Sequence, residues 1–167
     1  IWVERARYPH FLKTMNYGQY LQFTDMESIS YIKSEVDKTG AKLFSLPHPS
    51  LNQSDDYEGF RGEIFNKENK KGEDLIKSND IALFDNTAST LMHFCMKNNI
   101  LFFIIVPVGS ELYMSEKASN WFKVLRKNEF IFFSDEQDRL SKRLEDNLQS
   151  SQESLSQLTD INRKFFL

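Results

Sequence analysis

The spacing of apolar residues divides the chain into two kinds of block that alternate. Short, continuously apolar runs fall at residues 1–4 (IWVE), about 42–46 (KLFSL), 81–84 (IALF), 100–106 (ILFFIIV) and 130–133 (FIFF). Such runs predict strands buried on both faces, because a strand with one wet face would alternate apolar and polar positions. Between them the period changes. Leu21, Phe23, Met26, Ile29, Ile32 and Val36 recur mostly three or four residues apart, which is one helical face, and Gly40 closes it. A short helix is predicted near Glu73–Ser78, a second at about Ala88–Lys97, and a third through Tyr113, Ala118, Trp121, Phe122 and Leu125. The stripe Leu140, Leu144, Leu148, Leu155, Leu158, Ile161 and Phe165 predicts one long helix or two in succession. Residues 52–72 are charged and lack any apolar period, so they read as an exposed excursion with one helical turn near Ile64 and Phe65.

Five alternations of apolar strand and helix predict an α/β chain, specifically a single Rossmann-like, three-layer αβα domain over residues 1–167 with a mostly parallel sheet of about five strands. Ligands of such sheets bind beyond the carboxyl ends of the strands, here the loops after Glu4, Leu46, Phe84 and Val106. One of these loops is unusual. In DNTAST, residues 85–90, five polar side chains fall within six positions where a buried strand becomes a helix. One reading is an N-cap by Asn86, Thr87 or Ser89, worth about 1 kcal/mol. The other is a phosphate seat, in which side-chain hydroxyls join the backbone N–H groups and the positive end of the helix dipole. The residues alone leave both open.

Composition removes several rival classes. A chain of 167 residues with 40% hydrophobic, 14% aromatic and 27% charged residues has a globular composition, and fifteen phenylalanines imply thick apolar layers. A net charge of −3 argues against nucleic acid as the main partner. Cys95 is the single cysteine, which excludes an internal disulfide, and its helical position predicts a small buried residue. The three histidines are scattered, without zinc-ligand spacing, so no metal or other cofactor is expected. Walker A, G-x-G-x-x-G and G-x-S-x-G sequences are absent. The longest apolar run, Ile100–Val108, is well short of the roughly 20 residues of a spanning helix. The opening Ile-Trp-Val-Glu lacks an initiator methionine and reads as mid-strand, so the chain is expected to be a piece of a longer protein whose N-terminal portion precedes it.

The segment DIALFDNTASTLMHF, followed by a short link and an apolar strand, resembles the donor-binding segment of the C-terminal domain of GT-B glycosyltransferases. More narrowly it resembles bacterial surface-carbohydrate (lipopolysaccharide or capsule) transferases and their CDP-glycerol-dependent relatives. The upstream ARYPHF and YGQYLQFTDMESISYIKSEV are similar to the opening of the donor domain in the surface-carbohydrate enzymes. The likeness covers most of the chain in layout and about fifteen residues closely. It implies that Asn86, Thr87, Ser89 and Thr90 hold the phosphate of a nucleotide-activated sugar, the donor being a substrate and not a cofactor. The likeness further implies a preceding acceptor-binding domain, a cytoplasmic location at the inner face of the membrane with peripheral association of the full-length protein, and an inactive isolated domain. A polyol-phosphate transferase and a non-catalytic binding domain of the same fold are the alternatives. Two departures stand out. Where these enzymes often carry a glutamate for donor hydroxyls this chain has His93, which is expected near the donor as a hydrogen-bond partner of a ribose or sugar hydroxyl, and KNNIL replaces the usual small residue and proline before the next strand.

Four further residues are candidates by position. His48, between Pro47 and Pro49, follows a strand and is either a shape-holding loop residue or a contact to donor phosphate or base. His10 in the first loop has the same two readings. Arg5 and Arg7 follow the first strand, where guanidinium forks suit phosphate, although arginines are more often solvated. The C-terminal apolar stripe is read as core, or as a seam against a further domain.

Overall fold

The computed structural model describes residues 2–3, 30–46, 66–67, 71–84, 89–108 and 115–166. Strands are β1 (Trp2–Val3), β2 (Phe44–Leu46), β3 (Asn66–Lys67), β4 (Ile81–Phe84), β5 (Leu101–Val106) and β6 (Ile131–Phe133). Helices are α1 (residues 30–38), α2 (Gly72–Leu75), α3 (Thr90–Lys97), α4 (Glu116–Lys127), α5 (Gln137–Gln149) and α6 (Gln152–Phe166). All strands are parallel, in the order β3-β2-β1-β4-β5-β6. The chain is therefore α/β with a parallel sheet. Against the expected sheet of about five strands, three, β4, β5 and β6, carry the described apolar core, while β1, β2 and β3 add only pairings of two or three residues each. β3 lies inside the stretch expected to be an exposed excursion. Backbone pairing to β2 defines it, and no apolar pattern announces that. The helical turn expected at Ile64 and Phe65 lies outside the described residues.

Register assigns the two faces of the sheet. Leu83 pairs with Phe103, Phe84 with Ile104, Ile104 with Ile131 and Ile105 with Phe132. Successive side chains alternate in direction, so Phe84, Phe102, Ile104, Ile131 and Phe133 share one face while Leu83, Phe103, Ile105 and Phe132 share the other. On the first face Phe84 meets Phe102 edge-on at 5.9 Å, and Phe133 packs against Phe122 of α4 at 6.3 Å. α3, α4 and α6 lie on this side, joined through Phe166, which touches both Trp121 and His93. On the second face Phe103 stacks on Phe130, over which lies the guanidinium of Arg143 from α5. α1 joins α5 there through Tyr31 and Asp138. Helices on both faces explain why the strands read as unbroken apolar runs. Phe84, Phe102, Phe103, Phe130 and Phe132 are fully buried, each worth roughly 1.5–3 kcal/mol of burial.

The C-terminal stripe is core, since α6 packs on α4 and β5. It is two helices, broken at Ser150 and Ser151. Leu148, expected within the stripe, is 43% exposed in the last turn of α5, where the break turns the chain before that side chain reaches the sheet.

KNNIL, the link that departs from the glycosyltransferase pattern, has a structural account. α3 ends Lys97-Asn98-Asn99-Ile100, with Asn99 at φ 52° and Ile100 N–H bonded to Cys95 C=O at 2.9 Å. α4 ends Lys127-Asn128-Glu129-Phe130, with Glu129 at φ 59° and Phe130 N–H bonded to Leu125 C=O at 2.9 Å. Both are left-handed C-caps closed by a buried apolar residue. In each, the first asparagine donates its side-chain amide to a helix carbonyl, Phe94 or Val124. A short repeated cap, not a proline, delivers the chain into β5 and β6.

Candidate functional site

The chain progresses outward from β1 through β2 to β3, and outward the other way from β4 through β5 to β6. The direction reverses between β1 and β4, which lie side by side with Trp2 opposite Leu83 and Val3 opposite Phe84. Both strands thus end at the same level. In parallel sheets this switch point is where neighbouring loops part and leave a crevice. Phe84 leads into DNTAST.

Of the candidate residues, Arg5, Arg7, His10, His48, Asn86 and Thr87 lie outside the described residues. Ser89, Thr90 and His93 lie within them. Ser89 is the N-cap of α3, with extended backbone (φ −100°, ψ 131°), and it caps through its carbonyl, which accepts from Met92 N–H at 3.1 Å. Its hydroxyl makes no capping bond. Thr90 is exposed at the first helical position. α3 begins two residues later than its apolar pattern suggested, so both hydroxyls belong to the helix entrance. At that entrance the unpaired N–H groups and the dipole favour an anion.

His93 lies one turn further along and is exposed, its ring set edge-on to Phe166 at 6.3 Å. It lines two grooves between α3, α4 and α6, and neither groove is lined by Ser89 or Thr90. The structure therefore leaves Ser89 and Thr90, neighbours in sequence, at the helix entrance and sets the imidazole against the C-terminal helix. Cys95 is fully buried, and burial pushes its thiol up to about 12, which leaves it without nucleophilic character at neutral pH.

Sequence reasoning missed a dense polar cluster among the described residues, at the junction of β6 with α5. Glu136 Oε1 accepts from Arg126 at 2.6 Å and from Arg139 at 2.5 Å, while Oε2 accepts from Phe133 N–H at 2.9 Å. Arg139 also reaches Glu129 at 2.7 Å, and the Arg126 guanidinium sits 4.7 Å over the Phe133 ring. Burial pushes the Glu136 carboxyl up, but the Phe133 N–H and the two guanidiniums outweigh it and hold the pKa below the ordinary value. Arg126, Glu129, Glu136 and Arg139 are spaced as on one helix, yet they belong to the end of α4 and the start of α5 with β6 between them, so the periodicity does not signal how they meet. Only the turn from α4 through β6 into α5 assembles them.

No group of three or more His, Cys, Asp or Glu able to hold a metal ion occurs among the described residues. No helix among them is long and apolar enough to cross a membrane. Comparison with known proteins finds no matching family model, no matching curated protein and no matching solved structure.

Proposed function

We propose that this chain is a Rossmann-like, three-layer donor-binding domain, which holds the phosphate of a nucleotide-activated sugar at the turn between β4 and α3. The observation that carries the reading is the placement of DNTAST. It follows the strand that flanks the sheet's reversal point, and the hydroxyl of its N-cap Ser89 is not engaged in capping. The strand order 3-2-1-4-5-6 is that of doubly wound nucleotide-binding sheets, which supports the fold half of the proposal. In this reading Ser89 and Thr90 donate to the phosphate together with the N–H groups of the first turn of α3, and Asn86 and Thr87 complete the turn. Arg5, Arg7 and His48 follow strands of the same sheet and reinforce the charge. Preorganised donors of this kind stabilise the negative charge that builds on a departing nucleotide phosphate. A partner domain supplies the acceptor and the general base, and the product belongs to a surface polysaccharide.

A second reading, a binding domain of the same fold without transferase activity, is favoured by one observation: His93, which occupies the position where the resembling enzymes carry a glutamate, is turned towards Phe166.

The deciding experiment is a calorimetric titration with CMP, CDP, UDP, GDP and dTDP, repeated on a Ser89→Ala, Thr90→Ala double variant. Saturable binding of one nucleotide that the double variant loses supports the proposal and names the base. Binding that survives the double variant, or no binding by the folded chain, overturns it.

A further inference from the structure

β6 is the outermost strand of the sheet, and no further strand pairs with it among the described residues. We infer that Arg126 and Glu136 form a guard on its free edge. They fill hydrogen-bonding positions that an added strand would take, and so keep two copies of the chain from joining edge to edge.

The backbone of β6 shows which groups are at stake. Successive residues of a strand point their N–H and C=O groups to opposite sides. Phe130 C=O accepts from Ile104 N–H at 2.9 Å, and Ser134 N–H donates to Val106 C=O at 2.9 Å. Phe130, Phe132 and Ser134 therefore turn their backbone groups to β5, and Ile131 and Phe133 turn theirs outward. One pair of side chains meets both outward residues. Ile131 C=O accepts from Arg126 Nη1 at 3.3 Å, and Phe133 N–H donates to Glu136 Oε2 at 2.9 Å. Arg126 Nη2 and Glu136 Oε1, 2.6 Å apart, join the two contacts into one bridge along the edge.

Two comparisons within the chain separate a guard from an ordinary helix start. Glu136 N–H donates back to Phe133 C=O at 2.9 Å, and these reciprocal bonds would suit a capping box before α5. A capping box has no use for Arg126. The second comparison is between the ends of α3 and α4, which share one left-handed cap, Lys97-Asn98-Asn99-Ile100 and Lys127-Asn128-Glu129-Phe130. Aligned on that cap, Arg126 and Glu129 stand where α3 has Met96 and Asn99. α3 delivers the chain into β5, an interior strand, and α4 delivers it into the edge strand. Of the two caps, only the one at the edge carries these charges. Arg139 bonds both Glu136 and Glu129, and so ties the guard to that cap.

The two edges of the sheet differ in their need for protection. β3, at the other end, is two residues long and polar, Asn66–Lys67, which makes it a poor template for a further strand. β6 lies in the run FIFF, and an apolar edge with free backbone groups invites pairing with another chain. Ile131 is nevertheless fully buried, and the Arg126 guanidinium lies 4.7 Å over the Phe133 ring. The guard thus covers apolar side chain as well as backbone. A second copy is the partner it excludes, because two identical edges are self-complementary about a two-fold axis.

The test is the association state of an Arg126→Met, Glu136→Leu double variant, which strips both side-chain contacts from the edge. Removing the two charges together strands neither of them, so the variant is expected to fold. Sedimentation velocity is run over a concentration series, with circular dichroism to confirm folding. At the highest concentration the mass of the variant should exceed that of the wild type by about twofold or more. Leu144→Ala, a change in the buried face of α5 outside the guard, controls for lost stability and is compared at equal fraction folded. If the double variant does not fold, Arg126→Met alone frees the Ile131 C=O and is read in the same way. A folded guard variant that associates no more than the wild type overturns the inference. Equal association by Leu144→Ala overturns it too, since instability and not the opened edge would then be the cause.

Discussion

Two strand-to-helix junctions of one sheet use their polar residues in opposite ways. Where β6 enters α5, the side chains of Glu136, Gln137 and Asp138 are all engaged. Glu136 gathers Arg126, Arg139 and the Phe133 N–H, Gln137 donates to Ser134 C=O at 2.9 Å, and Asp138 accepts from Tyr31 at 2.6 Å. Where β4 enters α3, the entrance is as polar in sequence, yet the Ser89 hydroxyl caps nothing and Thr90 faces solvent. A polar cluster at a helix start is thus not evidence of function by itself. The informative quantity is how much of its hydrogen-bonding capacity the fold already uses.

The largest effect should come from breaking the engaged junction. Glu136→Ala removes the carboxylate partner of the partly buried Arg126 and the acceptor of the Phe133 N–H, and is expected to cost about 2–3 kcal/mol in urea unfolding. Its pH dependence follows from the lowered carboxyl pKa. A group whose pKa falls on folding is more often protonated in the unfolded chain. Its contribution is therefore present above the ordinary value of 4.5 and is lost as pH drops through the lower folded value. The stability gap between wild type and Glu136→Gln should be full near neutrality and close below that range. A gap that stayed constant into acid would show that Glu136 acts by packing.

Capping variants sharpen the contrast at smaller magnitude. Ser115, the N-cap of α4, accepts from Ala118 N–H through its side chain at 3.4 Å, so Ser115→Ala should cost about 1 kcal/mol. Ser89→Ala with Thr90→Ala should cost less than about 0.5 kcal/mol, because neither side chain makes a cap. A loss in the double variant as large as that of Ser115→Ala would make DNTAST a plain cap after all.

The smallest effect is spectroscopic. The hydrogen bond to Asp138, with some burial and the nearby carboxylate charges, pushes the Tyr31 phenol up to about 12. Asp138→Asn should return one tyrosine titration, read by ultraviolet difference absorbance, towards its ordinary value of 10.0. If the titration does not move, α1 and α5 are not joined through this pair.

Much of the architecture was legible in the order of residues. IALF, ILFFIIV and FIFF read as buried strands because both their faces meet helices, and Gly40 marked a helix end by its left-handed backbone, φ 76°. β3 was not legible, because a two-residue edge pairing is made by backbone groups that any side chain can accompany. The break between α5 and α6 was half legible: the apolar stripe runs through it, and only the exposure of Leu148 shows that the period has lapsed.

For the candidate sites the division is sharper. The order of residues by itself signalled the alternation of apolar strands and helices, a small apolar residue at Cys95 and a polar sequence after β4, because apolar period and residue type are read within a few positions of the chain. Tertiary structure alone decided that Glu136 is enclosed by two arginines, that His93 faces Phe166, and that Trp121 and Asn162 are buried without partners. These depend on elements that are distant in the chain and meet only when helices dock on a sheet. No local spacing records which side chain is left over when they do.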